Sequence, residues 1–295
     1  MKESTTIEEQ LRVLTNRGMT LDIGDDKAKE ILGDIGYFRL GFYCFPFEKS
    51  YPQKQKRSHL YRKGAKISDV VNLYYFDMDL RNILVKYINR IEVNFRTKVV
   101  YEVSNKYNNS STWFVDPSIM TRKYIDEFDD KVYTTTFKRY RIIKLHHDKY
   151  INDKYAPAWK TLEFLTFGGV LTIFKNLKDL QVRECIAKKY GVRNVEIFEG
   201  YMNSIVEIRN TCAHGRVLFD FTLAKSLRNG PALSINNSNK NILNSVIEVI
   251  IFILKGISEN RAIEMRTEIN NLFNKHKSNS EIKCIIENCT GYKYS

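Results

Sequence analysis

The chain has 295 residues, enough for one large domain or two small ones and for a core that holds without disulfides. Lys and Arg number 47 against 34 Asp and Glu, and the net charge of +13 points to a polyanionic partner such as nucleic acid. With 43% apolar residues, 14 Gly and only 5 Pro, the composition excludes a disordered, low-complexity or loop-rich chain.

The opening residues, MKESTTIEEQLRVL, hold no apolar signal core, so a cytoplasmic chain is expected. Thr5 or Thr6 can cap a first helix running to about Thr15, with Glu8 and Glu9 in its first turn. Asp25 and Asp26 open a second helix, to about Gly33. The aromatic stretch from Gly36 to Phe47 is expected to pack Phe38, Phe42 and Phe45 into the core. Residues 49–68 form a connector that carries Lys54, Lys56, Arg57, Arg62 and Lys63 and no acid. It is either a solvated loop or a surface that tracks phosphates.

A long helix is expected from about Ser68 to Lys106, with apolar residues three and four apart: Val70, Val71, Tyr74, Leu80, Leu84, Tyr87, Ile88, Ile91, Phe95 and Val99. A helical region follows over roughly 121–147, and Pro157 starts the next helix. Phe167–Gly169 is a soft interruption or a close-packing point. A helix from just after Arg193 to His214 ends on Gly215 as its cap. Asn236–Asn239 form a polar loop, and closing helices occupy about 240–256 and 260–276. The most apolar run, Val246–Leu254, is broken by Glu248 and is too short to cross a bilayer. No alternating strand pattern occurs, so the fold is all-α. Cys44, Cys185, Cys212, Cys284 and Cys289 are odd in number and irregular in spacing, which argues against a disulfide framework or a zinc site. Neither a metal nor a cofactor is expected.

Chemistry concentrates in Tyr201–Asp220, where Arg209, Asn210 and His214 spell R-N-x-x-x-H. The Arg-to-His spacing alone is weak, because Arg141 and His146 repeat it. Asn210 after Arg209 sets the second occurrence apart, since Ile142 follows Arg141. On a helix, Tyr201, Ile205, Ile208 and Cys212 make an apolar stripe, while Asn203, Glu207, Asn210 and His214 make a polar one. With Arg216 beside it, that stripe has what a phosphodiester site needs; a solvated helix face is the alternative. His takes and gives protons near neutral pH, and Arg neutralises a phosphate. RNA brings its own nucleophile, the 2′-hydroxyl. Five residues of ideal helix set Arg209 and His214 about 140° apart, so two copies across a twofold axis would build one composite cleft better than one copy alone.

These residues resemble the HEPN ribonuclease superfamily. The wider chain resembles the Abi-like abortive-infection family, of the AbiD/AbiF type, through IEEQLRVLTNRGM (7–19), IGYFRLGFY (35–43), LYYFDMDLRNILVKYINRIEVNFRTKVVY (73–101), APAWKTLEFLTFGGV (156–170) and IRNTCAHGRVLFD (208–220). Gly215 and Asp220 stand where the family often carries a second His and an Asn. The resemblance implies a HEPN-like helical bundle (67–295) behind an N-terminal helical extension and basic connector (1–66). It implies a metal-independent endoribonuclease with Arg209, Asn210 and His214 catalytic, working in phage defence as a homodimer and bound or restrained by a small structured RNA. A non-catalytic RNA-binding module is the alternative.

Glu207 and Arg216 are expected to support the site. So are the i,i+4 pair Glu92 and Arg96, and Glu163, for which structural pairing is the other expectation. Asp77 and Asp79 diverge on a helix, so pairing with Arg81 or capping is expected over metal binding. A second basic patch, with Arg139, Arg141, Lys144, His146 and His147, is read as RNA-binding or as a solvated face.

Overall fold

The computed structural model describes residues 3–233 and 239–294. Among these the chain is all-α, with isolated bridges in place of any sheet. The early helices are α1 (Ile7–Asn16), α2 (Asp25–Ile35), α3 (Tyr37–Cys44) and the 40-residue α4 (Ile67–Lys106). Then come α5 (Arg122–Lys131), α6 (Thr135–Lys138), α7 (Arg141–Lys149), α8 (Ala158–Thr161), α9 (Phe167–Asn176) and α10 (Leu180–Lys188). The last are α11 (Val195–Ala213), α12 (Leu243–Lys255), α13 (Glu259–Lys275) and α14 (Ser280–Thr290).

Most boundaries follow local chemistry. Thr6 caps α1 in a reciprocal box: Glu9 N–H donates to Thr6 Oγ1 (3.2 Å) and Thr6 N–H to Glu9 Oε2 (2.7 Å). The expected helical region over roughly 121–147 consists of three helices, α5, α6 and α7. Thr134 accepts from Phe137 N–H (3.3 Å) and starts α6, and Tyr140 is extended ahead of α7. Phe167–Gly169 does not interrupt a helix; it begins one, because Thr166 accepts from Gly169 N–H (3.1 Å). Gly168 faces Val206, where an added Cβ would make ordinary contact at 3.5 Å with Cγ1. The expected loop Asn236–Asn239 lies outside the described residues except for Asn239.

The residues form two compact units: Met1–Ile83 with Gly215–Phe221 and Thr267–Ser295, and Leu84–His214 with Thr222–Arg266. The expected division after residue 66 coincides with the start of α4, but contacts group Ile67–Ile83 with the N-terminal helices.

In the first unit, Leu11, Leu14, Ile31, Leu32, Tyr43 and Phe47 are buried, and Phe76 packs edge-on against Phe273 (5.0 Å). Two expectations shift here. Phe38 is 81% exposed and Phe42 is exposed beside it; Leu40, Tyr43 and Cys44 take the inward positions of α3. The short helix is followed at once by a 3-10 turn, which buries Phe45 and Phe47 on a different period. On early α4 the buried line is Val70, Leu73, Phe76, Asp77 and Leu80, so Val71 and Tyr74 stand at its margin.

In the second unit the expected α4 stripe is fully buried from Leu84 through Val99. Phe95 is its centre, with ring contacts to Phe167 (6.1 Å), Phe174 (5.6 Å) and Phe198 (6.0 Å). Tyr190 stacks on Phe198 (5.3 Å) and donates to Asn94 Oδ1 (2.8 Å), so α4, α9 and α11 are held in register by rings and one hydrogen bond.

Candidate functional site

The motif lies on α11. Asn194 caps its start by accepting from Ile197 N–H (3.0 Å), and the helix ends at Ala213 with His214 as its cap residue. His214 N–H donates to Asn210 O (3.0 Å). Gly215 then adopts φ +61°, the left-handed conformation that turns the chain out of a helix without a Cβ penalty. Both expected stripes are present. Tyr201, Ile205, Ile208 and Cys212 are buried, and Asn203, Glu207, Asn210 and His214 are exposed.

Arg209 lies between the two faces. Its Nε is 3.4 Å from Glu92 Oε2. Glu92 Oε1 accepts from Arg96 Nη2 (3.2 Å), and Arg96 Nη1 is 3.7 Å from Glu163 Oε1. Arg96 also donates to Leu165 O (3.1 Å). Arg209, the Glu92–Arg96 pair and Glu163 are thus one chain of alternating charge, Glu163–Arg96–Glu92–Arg209. The Arg209–Glu92 contact is a long, half-buried one at the edge of the chain, and it orients the guanidinium. Glu92 and Arg96 are nearly buried, and losing one partner there costs about 3–5 kcal/mol.

Along the same helix, Asn203 and Glu207 face a cleft of about 430 Å³ closed on its other side by Leu223–Arg228. Asn203 Oδ1 accepts from Lys175 Nζ (2.6 Å). Glu207 keeps part of its surface in solvent, and partial desolvation against the cleft wall raises its carboxyl above the ordinary carboxylate value.

The residues after His214 belong to the first unit, where they are gripped by their backbone. Arg39 Nη2 donates to Gly215 O (2.7 Å) and Arg81 Nη2 to Arg216 O (2.8 Å). Asp77 is fully buried: Oδ1 accepts from Leu218 N–H (2.8 Å) and Phe219 N–H (2.6 Å), and Oδ2 from Tyr43 Oη–H (2.9 Å) and Arg81 Nη2 (2.7 Å). Burial raises the Asp77 carboxyl, and these four donors pull against it. The expected Asp77–Arg81 pairing is present; the hold on 218–219 was not foreseen. Its signal was an acid on an otherwise apolar stripe. The Arg216 side chain is exposed, and Asp220 pairs with Lys54.

The two basic regions differ from expectation. In the connector, Arg57 binds the buried Glu48, lies over the Phe45 ring (4.6 Å) and donates to Gly41 O (3.3 Å). Arg62 donates to Pro46 O (2.8 Å) and Glu281 Oε1 (2.6 Å). The acids missing from 49–68 are therefore supplied by Glu48, Asp220 and Glu281. Arg57 is half-buried and committed to these internal partners; Lys56 and Lys63 remain exposed.

In the second patch Arg139, Arg141 and Lys144 are exposed, but His146 is only 4% exposed. Its Nε2 is 3.1 Å from Asp153 Oδ2 and its Nδ1 is 3.5 Å from Lys160 Nζ. His147 meets Tyr133 Oη (2.9 Å) and Asp153 O (3.1 Å). Both rings hydrogen-bond within the 133–160 region; His146 is buried away from the surface where an RNA contact is expected, whereas His147 stays half-buried. Among the described residues no three His, Cys, Asp or Glu side chains gather as a metal site would need, and no helix is long and apolar enough to cross a membrane.

The model of the Abi-like protein family matches residues 30–220. This chain belongs to that family. The match takes in α4, α9, α11 and the gripped segment to Asp220, and membership supports a role in abortive infection, the phage-defence response. No curated protein and no solved structure matches this Abi-like chain.

Proposed function

We propose that this Abi-like protein is a phage-defence endoribonuclease of the HEPN type, acting in the cytoplasm as a homodimer. The observation that carries the proposal is the end of α11: His214 exposed on the cap, Asn210 exposed one turn before it, and Arg209 oriented by the Glu163–Arg96–Glu92 chain. In the proposed reaction the RNA 2′-oxygen attacks the adjacent phosphorus and loses its proton to one His214. The P–O5′ bond breaks, and the 5′-oxygen takes a proton from the His214 of the second copy. The products are a 2′,3′-cyclic phosphate and a 5′-hydroxyl. Arg209 neutralises the charge that develops on the non-bridging oxygens, and Asn210 donates to one of them. The nucleophile belongs to the substrate, so the scheme needs no metal. Binding of a structured RNA over the cleft would restrain the activity.

One observation favours the non-catalytic reading. Glu92 already neutralises part of the Arg209 charge. Labelled RNA incubated with the protein in EDTA, with the ends mapped, decides between the two. Cyclic-phosphate ends that vanish in His214→Ala support the nuclease. Binding without cleavage makes the protein an RNA-binding module.

A further inference from the structure

The connector and the α7–α8 region differ in how their cations are held. Residues 138–160 carry seven Lys or Arg against two acids. Lys154 pairs with Asp129 (2.8 Å), whereas Arg139, Arg141 and Lys144 have no acidic partner among the described residues. Large rings stand among these free cations. Trp159 is 54% exposed, and Tyr140 and Tyr150 are also exposed. Tyr140 stacks on Phe164 (5.1 Å, 20° between planes) and meets Phe137 edge-on (5.5 Å), which pins its ring while the side chain stays exposed. Tyr150 lies against His146 (4.9 Å) with Lys149 over its ring (5.1 Å), and Lys160, next to Trp159, reaches His146. The patch also runs into the candidate site inside one unit. Phe164 follows Glu163, the outer end of the charge chain that reaches Arg209.

We infer that the α7–α8 surface is a platform for single-stranded RNA: Trp159, Tyr140 and Tyr150 stack on unpaired bases while Arg139, Arg141 and Lys144 follow the phosphates. The inference rests on the proposed ribonuclease function and names its substrate class, an unpaired strand led toward Arg209 and His214. Exposed rings among unpartnered cations are what a sequence-tolerant strand binder needs. Paired bases present no free face to a ring, so duplex RNA should gain only from the charges. Ile142 and Leu145 lie exposed on the same helix, and they are what an acidic protein or an anionic membrane would use instead.

The two tryptophans make the test direct, because Trp113 is fully buried and Trp159 is exposed. The His214→Ala protein, which should leave RNA intact, is titrated with an unstructured oligoadenylate of about 12 nucleotides while tryptophan emission is followed. Stacking should quench the Trp159 emission, Trp159→Phe should abolish the quench, and Trp159→Ala should weaken binding about tenfold, one base stack's worth. A duplex of equal length should give little quench. No binding, binding without a quench, or unchanged affinity in Trp159→Ala would overturn the platform. So would a Trp159 response to anionic vesicles or polyglutamate but not to RNA. Cleavage by the wild-type protein is scored separately. A quench without cleavage keeps the platform and removes the nuclease; cleavage without a quench does the reverse.

Discussion

Arg and His five residues apart occur twice in this chain, and the two occurrences meet opposite fates. On α11, His214 falls on the cap, exposed, and Arg209 is held by Glu92. On α7, Arg141 is exposed at the first turn, while His146 points inward to Asp153 and Lys160. Spacing is the same, so spacing is not what makes a site. What differs is the phase of the helix against its core. Ile205, Ile208 and Cys212 turn His214 outward, whereas Ile143 and the α8 segment draw His146 in. A catalytic imidazole has to reach substrate; a buried one with both nitrogens occupied serves the fold.

The largest test exchanges the two. His214→Ala should lower RNA cleavage by about 10³-fold or more, and Arg209→Ala similarly, with circular dichroism unchanged. Arg141→Ala should raise KM through lost phosphate contact while kcat stays within a few-fold. If His146→Ala, still folded, is as inactive as His214→Ala, the assignment of the site to α11 fails. The same pair should separate in the opposite sense on stability. Removing the buried ring of His146 should cost about 2–3 kcal/mol in urea unfolding, against about 0.5 kcal/mol or less for exposed His214.

A smaller effect probes how Arg209 is held. Glu92→Gln leaves a neutral acceptor, so Arg209 should lose orientation and cleavage should fall about tenfold, about 1.4 kcal/mol. Asp153→Asn makes the parallel change beside His146 and should leave cleavage unaltered. Equal losses from both would mean that general destabilisation, and not orientation, is being measured.

The sequence carried the contrast only in part. The α11 stripes were legible because a 19-residue helix repeats its period several times, and Asn194 and Gly215 are strong punctuation. The division of the 121–147 helical region into α5, the four-residue α6 and the nine-residue α7 is not legible, since Thr134 and Tyr140 signal breaks only through their own local conformations. His146 was read as surface because its partners, Asp153 and Lys160, come from beyond the helix. Asp77 escaped for the same reason, as its acceptors' partners are 141 and 142 residues away. Short-range pattern finds faces; it does not find which distant backbone a buried carboxylate will hold.

The cap beyond His214 offers a milder perturbation. Gly215→Ala meets only ordinary contact, 3.6 Å to Arg39 Nη2, so its cost is conformational: about 1 kcal/mol for a Cβ at φ +61°. Gly215→Asn should cost less, because Asn tolerates the left-handed region. Cleavage should fall more in the Ala variant if the cap conformation is what aims His214. Equal rates in all three proteins would show that it does not.

The smallest effect is a pH dependence to which His146 on α7 contributes. Burial holds His146 below its ordinary value of 6.5; Lys160 acts in the same direction and Asp153 against it. The unfolded chain therefore takes up this proton first as pH falls. The stability contributed by keeping the ring neutral is complete above about pH 6.5 and is lost as pH drops from there toward the lowered folded value. His276 adds a second contribution of the same sign, since burial and Lys275 lower it too, with Asp79 opposing. Each group can tilt the unfolding free energy by at most about 1.4 kcal/mol per pH unit. Urea midpoints measured at pH 7, 6 and 5 should decline for the wild-type protein and decline less steeply for His146→Gln. A variant profile parallel to wild type would mean that the His146 ring reaches water in solution. The burial that separates the two Arg–His pairs would then be gone, and α7 would have to be tested again as a site.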